Sequence, residues 1–287
     1  MKTKNLFLFS LLASSFLFSA CQTINPVLDN AKSTLSQNIL TKKIDKLDID
    51  TIMKSAYPKT VSEPMAYVEP KALDEYFRNY PSRQIEANVL GFIHPTIEYK
   101  NIQGELRYLV IVEKVKIYDG YIQSCRACRS QLDLFIYKKQ NGQFQLINSA
   151  RDQNDIPSGD GHLQSDFNDQ FMQNFQRFGR NITGSYMRTT YTGAGGQEES
   201  VWYVVLLPDI GQLKIMSIAS GGGSTENYYA DRPEMASVIT STLRVQANQA
   251  DYYPIEVIYT DTNTPKTSKK IVLQYALDKG KYVEMNN

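Results

Sequence analysis

Leu106-Arg107-Tyr108-Leu109-Val110-Ile111-Val112-Glu113-Lys114-Val115-Lys116-Ile117 is the stretch that decides the class of this fold. Its middle, Tyr108 to Val112, is an unbroken run of residues that favour extended backbone. A strand with one wet face alternates apolar and polar residues, and this one does not, so it is expected to be covered on both faces. The apolar positions change parity between Val112 and Val115, which predicts a bulge near Glu113-Lys114.

Working outward, the β signal runs from Ile85 to the C-terminus. Three later segments share one design, a strand, a glycine-bearing turn and a returning strand. They are Leu132–Tyr137 with Gly142 and Phe144–Ile147, Val201–Leu207 with Gly211 and Leu213–Ile218, and Ile271–Leu277 with Gly280 and Tyr282–Met285. The glycines are evenly placed, since 211 − 142 and 280 − 211 both give 69. Even placement raises a triplicated β unit as one reading, against ordinary turn glycines in any β protein. Phe167, Phe171, Phe175 and Phe178 recur at spacings of four, four and three, as on one side of a helix laid over a sheet.

Towards the N-terminus the period changes to that of a helix. Ile39, Leu40, Ile44, Leu47, Ile49, Ile52, Met53 and Ala56 recur at helical spacing until Pro58. A second short helix is expected over Lys71–Arg78, opened by Pro70. The expected fold is therefore mainly β, antiparallel hairpins forming a β-sandwich or a partial propeller-like meander, with N-terminal helices and a short helix over the sheet. Its divisions are a helical segment over 38–82 and a β-rich domain over 83–287, with a subdomain boundary near 160–180 as an open alternative.

The chain starts with Met1-Lys2-Thr3-Lys4-Asn5, continues in an uncharged stretch from Leu6 to Phe18, and closes it with Phe18-Ser19-Ala20-Cys21. The apolar stretch falls well short of the ~20 residues that span a hydrocarbon core, and its order of parts is that of a cleaved export signal. It resembles the lipobox of bacterial lipoproteins, departing from it in carrying Phe18 where Leu is commonest. The resemblance implies diacylglycerol on the Cys21 thiol, cleavage after Ala20 and acylation of the new amine. Residues 1–20 are then the signal peptide and 21–37 a lipidated, polar, flexible linker. Two or three acyl chains anchor firmly, at about 0.8 kcal/mol per buried methylene. In that family an Asp after the cysteine retains the protein at the inner membrane. Gln22 and Thr23 stand here instead, which implies the outer membrane, on its periplasmic side or at the cell surface.

Composition narrows the partners. The chain has 31 basic and 30 acidic residues, and removing Lys2 and Lys4 with the signal leaves 29 against 30. No bulk charge points to nucleic acid. The longest apolar stretch after the signal, Val201 to Leu207, is too short for a membrane helix.

Chemistry-bearing residues are few. Cys125-Arg126-Ala127-Cys128 reads first as a structural disulfide in an oxidising compartment, where so tight a loop removes roughly 2 kcal/mol of unfolded-state entropy. A thiol-disulfide redox site and a metal site are the alternatives. Asp152, Asn154, Asp155 and Asp160 crowd a glycine-bearing loop and are weak candidates for calcium, against a plain exposed turn. His94 and His162 are isolated. Gly221-Gly222-Gly223-Ser224 lacks the Lys and the helix start of a phosphate loop. Glu198-Glu199 lies in a polar stretch where glycosidase-type carboxylates occur. No catalytic residue is assigned, and no cofactor beyond the lipid on Cys21 and the calcium candidate. The expected function is that of an outer-membrane-anchored, non-enzymatic lipoprotein whose β domain binds a partner protein or an envelope polymer or component. A carboxylate-based polymer hydrolase and a thiol-disulfide protein are the alternatives.

Overall fold

A computed structural model describes residues 43–58, 80–86, 88–118, 121–123, 125, 128–263 and 268–285. The signal peptide, Cys21, the linker to residue 37 and the helix expected over 71–78 lie outside the described residues. Among the described residues the chain is mainly β, in two eight-stranded antiparallel sheets and a two-stranded ribbon.

The first sheet contains β1 (Lys43–Ile44), β2 (Ser82–Glu86), β3 (Val89–Ile93), β4 (Ile97–Lys100), β5 (Leu106–Tyr118), β6 (Tyr121–Ile122), β7 (Gln131–Gln140) and β8 (Gln143–Gln153). Its order is β1-β8-β7-β5-β3-β2, with β4 and β6 also paired to β5. β9 (Ser158–Gly159) and β10 (His162–Leu163) form the ribbon. The second sheet runs in chain order through β11 (Gln176–Gly179), β12 (Ile182–Thr192), β13 (Glu198–Pro208), β14 (Lys214–Ser224), β15 (Val238–Val245), β16 (Ile255–Asp261), β17 (Ser268–Ala276) and β18 (Lys281–Glu284). Helix α1 (Ile49–Ala56) precedes β2, and α2 (Phe167–Gln173) stands between β10 and β11.

β5 is the central strand, and its apolar run is buried on both faces as its composition requires. Leu109 and Ile111 join Leu132, Leu134 and Ile136 of β7 against Met187, Tyr203, Val205 and Ile215 of the second sheet. Tyr108, Val110 and Val112 face the other way, onto Ile52 and Met53 of α1. The expected bulge near Glu113-Lys114 is not there, because the register of β5 with β3 and with β7 runs through both residues unbroken. The parity changes because two charged side chains occupy core positions. Glu113 is 0 % exposed and Lys114 8 %, one on each face of the strand. The irregularities fall elsewhere, among them two between β7 and β8 and two between β13 and β14.

The three glycine hairpins form, but in non-equivalent places: β7–β8 in the first sheet, β13–β14 inside the second, β17–β18 at its edge. Of the helical period read from residue 39, the described residues from 43 onward enter a helix at Ile49. Asp48 takes the N-cap and accepts the Thr51 N–H at 2.9 Å, while Lys43-Ile44 adds to the edge of β8. The phenylalanine helix is also shorter than its period suggests. It ends at Gln173, and Phe178 belongs to β11 and to a different core.

α2 covers the open edge of β12. The Gln170 amide donates to the Arg188 carbonyl at 3.0 Å and accepts from the Arg188 N–H at 2.8 Å, standing in for a neighbouring strand's peptide group. Gln170→Ala removes both partners at once, and a loss of about 1–2 kcal/mol in urea unfolding is expected. A loss within error of zero would mean that water replaces the amide without cost.

The sheets are bolted together at one end. Arg107 of β5 donates twice to Asp209, at 2.9 and 2.6 Å, and Asn101 adds a bond to the same carboxylate at 2.9 Å. Strands from both sides of residues 160–180 share this contact and one apolar cluster. The second sheet then folds over itself. Pairing between β14 and β15 is confined to Gly223↔Ile239 and Ser224↔Val238, and beyond it the strands diverge around a second core that includes Trp202, Val204, Met216, Val257 and Leu273. The fold-over is closed at β11, where the Tyr253 N–H donates to Phe178 O at 2.7 Å and the Arg180 N–H to Ala250 O at 3.0 Å.

Candidate functional site at the mouth of the curled sheet

One end of this curled sheet holds an open cleft of about 1010 Å³. It is bordered by the ends of six strands, and each contributes for a local reason. β13 contributes Glu198 to Val201, with Gln197 just before it, β14 contributes Ile218 to Ser220 and Gly222 to Ser224, and β15 contributes its second residue, Ile239. β16 ends with Tyr259 and Asp261, β17 supplies Lys269, Ile271 and Leu273, and β18 supplies Glu284.

The glycine run that resembles a phosphate loop only in composition is what lets these strands meet. Gly222 has φ +95°, and a Cβ there would lie 2.0 Å from the Ile239 carbonyl oxygen. Only a residue without a side chain permits β15 to pass so close to β14. Behind the wall, the Trp202 indole N–H donates to Ser241 Oγ at 2.8 Å, and that hydroxyl donates to Gly221 O at 2.7 Å. Tyr259 Oη donates to Ser220 O at 2.9 Å. Burial first, and the Glu284 carboxylate second, push the Tyr259 phenol above its ordinary value, so it stays a neutral donor at physiological pH.

The wall is aliphatic: Ile218, Ile239, Ile271 and Leu273. The rim is acidic, with Glu198, Asp261 and Glu284 around Lys269, the one ammonium among the described lining residues. An apolar concavity with a few charged groups at its lip, in the mouth of a curled sheet, has the form of a ligand site, and its volume lies at the upper end of the usual range of about 300–1,000 Å³.

The residues singled out in the sequence fall in several places. Glu198 and Glu199 border the cleft, but neighbours along a strand point to opposite faces, which is not the facing arrangement of a glycosidase pair. Cys125 and Cys128 are joined in a disulfide across a tight turn, with the Gly161 N–H donating to Cys128 O at 3.1 Å. Gln123, Cys125 and Cys128 to Ser130 lie in neither helix nor strand. Of the calcium candidates, Asp152 pairs with Lys114, and Asp155 accepts from the Ser217 N–H and Oγ–H at 2.9 Å each. Asn154 and Asp160 are exposed, Asp160 in the turn of the β9–β10 ribbon. Among the described residues no group of three or more His, Cys, Asp or Glu side chains converges as a metal site. His94 is buried with its Nε2 2.8 Å from Glu113, and His162 Nδ1 lies 2.9 Å from Leu163 O.

Sequence reading missed the cleft itself and the buried charges. Glu113 meets His94 and the Leu163 N–H, while Lys114 meets Asp133 at 3.0 Å. The signal that pointed to them was the parity change in β5. No family model, curated protein or solved structure matches this chain.

Proposed function

We propose that this chain is a lipid-anchored envelope protein, held at the outer membrane through Cys21, whose curled sheet binds a partner protein or envelope component in its mouth without bond-making chemistry of its own. The cleft of about 1010 Å³ with its aliphatic wall and charged rim carries the reading. Its polar lining is made of carboxylates, hydroxyls, backbone and one lysine, while both histidines and the cysteine pair sit elsewhere in the fold. The lipobox resemblance supplies the anchor. Twenty-one residues separate Cys21 from Lys43, a length that spans at most ~75 Å when extended and lets the body reach partners beyond the leaflet.

The test uses cells. A photo-crosslinking side chain at Ile239, on the cleft wall, is expected to give one dominant adduct, and the same group at exposed Lys46 is expected to give none. In parallel, Cys21→Ala is expected to leave the membrane pellet and to lose fatty-acid label. Equal adducts at both positions would end the cleft reading. Retention of the Cys21→Ala variant in the membrane would end the anchor reading.

A further inference from the structure

We propose that the cleft takes a cationic, aliphatic peptide segment, one in which lysine or arginine alternates with residues such as valine or leucine. The inference rests on the cleft being the binding site and adds the chemistry of its occupant.

Charge complementarity carries it. The carboxylates of Glu198, Asp261 and Glu284 stand around the mouth with the ammonium of Lys269, while Glu199 turns to the other face of β13. Elsewhere in the fold buried carboxylates are matched: Asp133 by Lys114 and Arg151, Asp209 by Arg107, Glu256 by Lys270. Among the described residues, no ion pair includes Glu198, Glu199 or Glu284. Carboxylates of one sign at the lip of a low-dielectric concavity raise the local concentration of cations and repel anions. Phosphate headgroups and acidic polysaccharides are thereby disfavoured.

The wall selects for the rest of the ligand. Ile239 is 41 % exposed and Ile218 half-buried, and together they offer aliphatic surface over the buried Ile271 and Leu273 in the same cleft as the carboxylates. An extended peptide alternates its side chains, so a Lys-Val-Lys pattern places valine on that wall and aims the ammonium groups at the lip. Lysine and arginine stems can lie along apolar surface while the charge stays at the rim.

Trp202 is the only tryptophan of the chain, and it is hydrogen-bonded through Ser241 to the strand that forms the cleft wall. A change in its emission on occupancy is therefore expected, with calorimetry as the independent readout. The full-length protein in detergent is titrated with acetyl-Lys-Val-Lys-Val-Lys-amide and with the peptides in which Gln or Glu replaces Lys, by Trp202 fluorescence and by calorimetry. The lysine peptide is expected to bind saturably and the glutamate peptide not at all. Combining Glu198→Gln and Glu284→Gln should weaken the lysine peptide about tenfold with an unchanged thermal midpoint, and Glu199→Gln, on the other face of β13, should leave it unchanged. Glutamine or glutamate peptides that bind as tightly as the lysine peptide would overturn the cationic assignment and leave the cleft as a binding site. Silence from all three peptides, by both readouts, would overturn both.

Discussion

Asp133→Ala is expected to lower the unfolding free energy by about 3–5 kcal/mol, a large part of the stability of any domain. The carboxylate is 1 % exposed and accepts from Tyr57 Oη at 2.6 Å, from Arg151 Nη1 at 2.8 Å and from the Asp152 N–H at 2.8 Å, with Lys114 Nζ at 3.0 Å. Arg151 in turn lies over the rings of Tyr57 and Phe135 and donates to the last carbonyl of α1, Ala56 O, at 2.9 Å. Removing the carboxylate takes the one acidic partner from Arg151 and the acceptor from the Tyr57 phenol, leaves Lys114 with Asp152 alone, and loosens the helix from the sheet. Equilibrium urea unfolding measures the effect, and a loss under about 1 kcal/mol would show that these cations find water unaided.

The same group has a signature in pH. Burial alone would raise the Asp133 pKa, but the hydrogen bonds from Tyr57, the Asp152 N–H and Arg151 outweigh it and hold the carboxyl below its ordinary 3.8. A group with a depressed folded pKa stabilises fully above its unfolded value and loses that contribution as pH falls through the folded value. The wild-type chain should therefore hold this increment down to about pH 4 and lose it below, and Asp133→Asn should flatten that acid limb.

The second large effect is expected at Gly222. Alanine there carries the strain of φ +95° and drives a Cβ into the Ile239 carbonyl, which together should cost about 3 kcal/mol. Gly142 serves as the control, because its φ is +79° but a Cβ there meets nothing within 4 Å, so only about 1–2 kcal/mol of strain is expected. Since β14 and β15 pair only beside Gly222, the variant should also disturb the Ser241 bridge and shift Trp202 emission to the red. Equal losses at the two glycines would mean that close approach plays no part.

Much of the architecture was legible because it is written in composition and period. The run from Tyr108 to Val112 announces a strand with no wet face, and Val201 to Leu207 does the same for β13, whose side chains alternate between the inter-sheet core and the core of the fold-over. Turn glycines placed three hairpins correctly. Pattern was silent wherever a buried residue is polar. Glu113 and Lys114 look like the start of a wet face, and only their partners, His94, Leu163, Asp133 and Asp152, far away in sequence, keep them inside. Helix limits failed for a related reason. Ile44 and Phe178 fit a helical period, but Ile44 pairs with the distant β8, and Phe178 sits in β11, which turns back onto the adjacent β12 and buries the ring in the fold-over core. Of the cleft, Glu198 and Glu199 were noticed and the glycine run was weighed for the wrong chemistry. The remaining lining comes one or two residues at a time from strand ends scattered between 218 and 284, each ordinary by itself.

The side-chain amide that lies along β12 has a meaning beyond the energy of two hydrogen bonds. Under the lipid anchor proposed above, copies would diffuse in the two dimensions of a leaflet and meet far more often than in bulk water. A bare strand border on such a protein would be a template on which the next copy could zip, and sheets would grow along the membrane. With Gln170 occupying that border, the stretch of β12 around Arg188 offers no such template.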